Sequence, residues 1–381
     1  MRDTVTDVLI FGDSMGSPAM RHEVPVPVPD DFIYAEQDGR RFVAVYSHEL
    51  TRLGGNGLDV RPFEELGWDE LIAEGLSREQ ILCELALRTC RELGLTKVAV
   101  PPKFPVAVAD HLRAGGVDLS PDSKLFADRR RVKNDAELAG IRRAQRAAEA
   151  AMDEARALLR RAEPAEGVLT LDGQPLTCER VKAALNLVFS SYDTIADEFI
   201  VSHGPQTAVG HDMGSGPIAP GEPIVLDLFP RDRESGCYAD MTRTFVVGTP
   251  PEALVEFHRL TLEALQRSLA AVRAGVVGRD VHIEICRFYE EHGYPTQLSK
   301  EPGTVLDSGF FHGLGHGVGL EVHEQPGLGM TGHETLVAGD VVTLEPGLYR
   351  SGFGGCRLED LVLVTEDGAE NLTQFSYDLE P

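Results

Sequence analysis

Four acidic residues stand inside or at the ends of apolar, strand-like runs. Asp227 lies in Ile-Val-Leu-Asp-Leu, Asp240 heads Asp-Met-Thr-Arg-Thr-Phe, Glu345 closes Val-Val-Thr-Leu-Glu, and Glu359 sits in Cys-Arg-Leu-Glu-Asp. A carboxylate among hydrocarbon is strongly disfavoured unless charge or hydrogen bonds compensate it. Any fold of this chain must therefore bring a partner to each acid. Backbone amides or arginines could serve them singly, and a buried Arg357–Glu359 ion pair is one such reading. That pairing leaves Asp227, Asp240 and Glu345 unexplained in similarly apolar strands. His316, in Gly-Leu-Gly-His-Gly-Val-Gly-Leu-Glu-Val-His-Glu, adds a nitrogen donor. Four carboxylates and one imidazole together can hold two divalent cations side by side. The chemistry this donor set predicts is two-metal hydrolysis.

Local pattern supports bringing the acids together. Ile224–Leu228 and Met241–Val247 read as strands, and Pro230–Tyr238 between them has turn character, which predicts a hairpin. Strand alternation puts Asp240, Thr242 and Thr244 on one face. Asp227 and Asp240 would then repel unless a proton or cation lies between them. His312 and His316 are four apart, but Gly313 and Gly315 lie between them and Gly317 and Gly319 follow, so a loop or strand fits better than a helix. For His312 a hydrogen-bonded structural role stays open. Glu345 precedes Pro346, which favours extended backbone. Arg357 and Glu359, two apart on the next strand, are expected to share a face. The oxygen-rich set with one nitrogen and no thiolate suits manganese, with cobalt, iron or zinc as alternatives. The histidine and the lack of a calcium-loop pattern disfavour calcium.

Composition excludes several partners. The formal charge of −25 over 381 residues repels nucleic acid and anionic membrane surfaces. No uncharged apolar run approaches the ~20 residues of a membrane span, and the N-terminus lacks an apolar signal core. The six cysteines form no Cys-x-x-Cys pair. They read as reduced thiols of a cytoplasmic protein.

Residues 1–128 alternate strand and helix signals and predict a small α/β domain. Val8–Phe11, Phe42–Tyr46 and Lys97–Val100 read as strands. Ser77–Leu93 reads as a helix with a Ser77/Gln80 capping box and Gly94 at its end. Val24–Pro29 reads as a rigid connector. Arg129–Lys133 marks the domain junction, as a solvated basic face. Residues 129–381 form the second domain, a mixed α+β unit with a ligand-bearing sheet and helices on its outer face. Helices are expected from Asn134 to about Arg161, from Thr177, from Thr249-Pro-Pro-Glu252 to about Arg273 with Pro250 in first position, and over Arg279–His292. Glu163–Pro175 reads as an exposed loop.

In this order and spacing, the strings from Val132 to Leu372 resemble the metallopeptidases of the pita-bread fold: prolidase, aminopeptidase P and methionine aminopeptidase. The extra N-terminal domain is similar to that of the prolidase and aminopeptidase P branch, and of creatinase. The resemblance implies that Asp227, Asp240, His316, Glu345 and Glu359 are the metal ligands. It implies that His211 and His323 bind substrate and intermediate, and that Arg357 orients ligands and charge. Glu345 would also carry the proton from the attacking water to the leaving nitrogen. The implied activity is hydrolysis of Xaa-Pro bonds at a free N-terminus by a homodimer, dipeptides favoured, with aminopeptidase P action on longer peptides as the alternative. A metal-free creatinase-like hydrolase and a non-enzymatic binding protein are the competing classes, and both conflict with the intact carboxylates. This chain departs from the family in three places. Gly210-His211-Asp212 replaces Pro-His-Gly. The Asp227–Asp240 interval is lengthened by Arg231–Glu234. Met20-Arg-His-Glu-Val24 stands where a tyrosine-containing strand is expected.

Overall fold

β-Branched and aromatic runs in the first third of the chain build a six-stranded mixed sheet. The computed structural model describes residues 6–54 and 57–381, and the chain divides into two compact units after Arg130. The first unit's strand order is Asp59–Pro62, Arg40–Val45, Phe32–Gln37, Val8–Gly12, Lys97–Val100, Asp118–Pro121. The central three strands pair antiparallel. The flanking pairs are parallel. Helix Arg78–Leu93 has the expected Ser77/Gln80 capping box and a left-handed Gly94 at its end. It buries Ile81, Leu82, Leu85 and Ala86 in the core of this unit. Met20–Glu23 belong to a short helix, Pro18–Glu23, not a strand.

Helix Asp135–Arg161 opens the second unit from an Asn134/Glu137 capping box. Its buried stripe is mostly alanine, including Ala144, Ala147, Ala148, Ala151 and Ala155. Small side chains let the helix lie close to its neighbours, and helix Cys178–Ser191 shares the same core. Both cover a three-stranded antiparallel sheet ordered Ile200–His203, Ile224–Leu228, Met241–Phe245. Helices Glu252–Ala271 and Gly278–Glu291 share a second core with two further sheets. One runs Glu324–Leu328, Gly315–Gly317, Val341–Leu344, Asp360–Val364, Ala369–Asn371. The other runs Ser308–Gly309, Gly347–Arg350, Gly354–Arg357. The α+β layering with sheets bearing the acids is as expected. No helix among the described residues is long and apolar enough to cross a membrane.

Four local expectations are corrected. Glu163–Pro175 is a three-stranded antiparallel meander of Glu163–Ala165, Val168–Leu171 and Gln174–Pro175. Its turns are Glu166-Gly167 and Asp172-Gly173, all four at positive φ. Asp-Gly is a strong hairpin signal, and the Gly and Pro content hid it. The helix expected from Pro250 begins at Glu252 with Pro251 as its N-cap. The basic run is no solvated face: Arg129 pairs with Glu23 and Glu36 in the first unit. Arg131 pairs with Asp340, and Lys133 with Glu324, in the second. Finally, Arg357 and Glu359 do not share one strand. Arg357 ends Gly354–Arg357, and Glu359 lies just before Asp360–Val364 in a different sheet.

Candidate active site

The site grows from the sheet faces turned away from the helices. Leu226 and Leu228 point into the helix-side core, which leaves Asp227 on the opposite face. Asp227 stands across from Thr242 in the antiparallel register, and Asp240 immediately precedes that strand. The expected hairpin therefore sets the two aspartates on one face. Its long connection is anchored rather than loose: Asp232 accepts two bonds from Arg143, at 2.9 and 2.8 Å, and a third from the Ser235 hydroxyl.

A second stitch brings in the glutamates. Leu344 pairs with Asp360, so Glu345 and Glu359 follow as neighbours at the ends of adjacent strands. The Glu359 amide donates to the Thr242 carbonyl at 3.0 Å, bridging two sheets. The Thr242 hydroxyl donates to Glu359 Oε2 at 2.6 Å. Arg243, fully buried, donates to the Thr242 and Glu359 carbonyls and to Asp360 Oδ1. This junction moves the chain from one sheet to the next at the place where Glu359 must turn inward.

His316 lies on the Gly315–Gly317 strand, held by its amide on Thr343 Oγ1 at 3.1 Å. His316 Nε2 stands 3.8 Å from Asp240 Oδ2 and 3.7 Å from Glu345 Oε1. Donor atoms of Asp240, His316 and Glu359 all fall within 4.8 Å of one another. Arg357 Nη2 donates to Asp227 Oδ2 at 2.6 Å and its Nε donates to Thr242 Oγ1 at 3.2 Å. His211, His323, Arg357 and all five expected ligands line one cavity of about 650 Å³, together with His312, Phe229, Phe311, Met213 and Ile200. The His323 ring packs edge-on against His316, centroids 4.2 Å apart.

Two further residues join this network: His312, for which a hydrogen-bonded structural role stood open, and Tyr349, which the sequence reading missed. His312 Nε2 lies 2.9 Å from Tyr349 Oη, which also accepts from Arg357 Nη1 at 3.3 Å. Tyr349 sits four residues beyond Glu345 in Glu-Pro-Gly-Leu-Tyr. Its signal was weak, because only the turn through Pro346 and Gly347 shows that it folds back to the site.

The electrostatics are those of more acids than one arginine can balance. Burial and the charges of Glu359, Asp227 and Glu345 push Asp240 well above the carboxylate range. Burial, Glu345 and Asp227 do the same to Glu359. Burial raises Glu345 to about 8, Arg357 opposing and Asp227 adding. His316 is lowered to about 3 by burial and by His323, so it stays neutral with a lone pair to offer. Asp227 Oδ1 and Asp240 Oδ1 are buried and find no hydrogen-bond partner. Orphaned acid oxygens, mutual repulsion and a neutral imidazole fit a divalent cation, which would relieve all three.

Fold and site thus define a class: a protein built around a buried, acid-rich centre suited to divalent metal. Residues 139–366 match metallopeptidase family M24, and the chain belongs to that family. Among curated relatives it is 35% identical to an Xaa-Pro dipeptidase of Pyrococcus furiosus over 185 residues, 48% of this chain and 49% of that one. It is 33% identical to an Xaa-Pro dipeptidase of Pyrococcus horikoshii over the same length and shares. The chain spans about half the length of the curated relatives it matches. Solved structures align far more fully. An Xaa-Pro dipeptidase from Bacillus anthracis superposes with a TM-score of 0.78 at 23% identity, covering 98% of this chain and 94% of that one. An X-Pro aminopeptidase from Thermotoga maritima gives 0.78 at 22%, covering 98% and 97%. The fold is therefore the two-domain pita-bread architecture.

Proposed function

We propose that this protein is a dinuclear-metal exopeptidase that hydrolyses Xaa-Pro bonds at a free N-terminus, with dipeptides favoured. The observation that carries the reading is the closed group of Asp240, His316 and Glu359, flanked by the orphaned oxygen of Asp227 and by Glu345, in one cavity. Those five residues would hold two divalent cations. When bound, the cations polarise the scissile carbonyl and bring the pKa of a water toward neutrality. Glu345 takes the proton of the attacking water and delivers it to the leaving nitrogen. His323 and His211 donate hydrogen bonds to the tetrahedral intermediate and the leaving side. Arg357 fixes Asp227 and offsets part of the acid charge. Support for the proline preference comes from the relatives described as Xaa-Pro dipeptidases.

The reading takes manganese as the metal, with cobalt, iron or zinc as alternatives, and a homodimer as the assembly. It also takes the cytoplasm as the location, consistent with six cysteines outside any disulfide. The test compares Ala-Pro, Ala-Pro-Ala and Ala-Ala at equal concentration with manganese. Faster cleavage of Ala-Pro supports the reading. Preference for Ala-Pro-Ala moves it to aminopeptidase P, and equal rates on Ala-Ala remove proline specificity. Metal analysis of protein purified without added ions separates it from a metal-free hydrolase or a binding protein.

A further inference from the structure

One acid in the cavity wall stands apart from the cation cluster. Glu198 lines the cavity beside Ile200 and Phe229, and its side chain is exposed. The strand that follows it is anchored in the sheet. Ile200 begins its strand and pairs with Asp227 in antiparallel register, and Glu198 lies two residues before it. Phe199 and Val201 face the helix-side core. Ile200 therefore faces the other way, with Asp227, and Glu198 lines the same cavity. Glu198 is not among the main charges acting on Asp240, Glu345 or Glu359, so it stands apart from the acids that would flank the scissile bond. The same wall carries hydrocarbon, Ile200 and Phe229. The cavity's one arginine, Arg357, is buried and bound to Asp227, and no lysine lines the cavity among the described residues. No protein cation there competes for Glu198.

We propose that Glu198 determines specificity: it selects a first residue carrying a cation on a long apolar stem, lysine or arginine, over a neutral side chain of the same length. This rests on the Xaa-Pro reading above. The stem lies on Ile200 and Phe229 while the charged end reaches Glu198. The α-amine cannot be the group recognised there, because it is one bond from the Cα next to the scissile carbonyl and so stays beside the acid cluster. As Glu198 is exposed, the preference is modest, about fivefold.

The experiment measures kcat/KM for lysyl-proline and norleucyl-proline with the wild type, Glu198→Gln and Glu198→Lys, all manganese-loaded. The expected ratio of lysyl to norleucyl substrate is about five in the wild type, near one in Glu198→Gln and below one in Glu198→Lys. High salt should shrink the wild-type ratio alone. An unchanged ratio in Glu198→Gln overturns the proposal, as does an equal fall on both substrates. Failure of the Xaa-Pro reading looks different: no variant, nor the wild type, cleaves either peptide, and the inference falls with it.

Discussion

At Asp240 the balance between burial and charge can be tested directly. Asp240 is 3% exposed and its carboxylate is repelled by Glu359, Asp227 and Glu345. Asp240→Asn keeps the shape and cannot ionise, so folding no longer has to hold a proton or a repelled charge there. The metal-free variant should therefore be more stable than the metal-free wild type, by roughly 2–4 °C in Tm. With metal supplied, the same variant should bind fewer than two cations and lose at least ~10³-fold in activity. Melting in EDTA and elemental analysis check the two halves, and a lower metal-free Tm would refute the repulsion account. The pH dependence follows the same logic. Without metal, Glu345 in the folded protein keeps its proton up to about 8, whereas unfolded it loses it near its ordinary value. The folded state then binds more protons, so its stability falls as pH rises. Asp240 and Glu359 act in the same direction. His316 and His312, both lowered to about 3, act oppositely but only below their ordinary value of ~6.5. Metal-free Tm should thus drop between pH 6.5 and 8.5, and cation loading should flatten the slope. His323, beside His316 but outside the acid group, gives a third outcome: His323→Ala keeps its metal and loses ~10²-fold in turnover.

Among the elements, the glycine string around His316 shows why backbone approach matters more than flexibility. A Cβ on Gly315 would lie 2.0 Å from the Thr343 carbonyl oxygen of the neighbouring strand. One on Gly317 would lie 2.4 Å from the Gln325 carbonyl oxygen. One on Gly313 would meet nothing nearer than 3.5 Å. Gly315→Ala should therefore push His316 from its place and cost ~1–3 kcal/mol, with metal loss. Gly313→Ala in the same string should change stability by no more than ~0.5 kcal/mol. Denaturant melts and metal content of the two variants decide this; equal effects would show that the glycines serve chain flexibility instead. The Lys133–Glu324 pair, with side chains 3% and 2% exposed, fixes the residue next to His323 in a comparable way.

On the scale of the whole molecule, the two units have separate cores. Every residue of the first core lies between Val8 and Phe126, and the other three cores lie wholly beyond Arg130. Residues 1–130 expressed alone should therefore give a cooperative thermal melt; a non-cooperative one would mean that this core does not suffice. The proposed homodimer is checked by sedimentation, which should give twice the 41.5 kDa chain mass.

The sequence by itself determined much of this. Acids in apolar strands, the His316 string and the Asp227–Asp240 hairpin were readable because each is set by short-range alternation and turn chemistry. Helix caps at Ser77 and Asn134 were readable for the same reason. What only the tertiary structure decided lies where the chain changes partners. Glu359 turns inward through a bridge to Thr242, 117 residues away in sequence, and Arg243 is buried to hold that junction. Tyr349 meets His312 and Arg357 only after three strands assemble, and Glu198 joins Phe229 in the cavity wall from a different part of the chain. Local periodicity states which face a side chain takes on its own strand. Which face of which other strand it meets is set by long-range packing, and no window of sequence contains it.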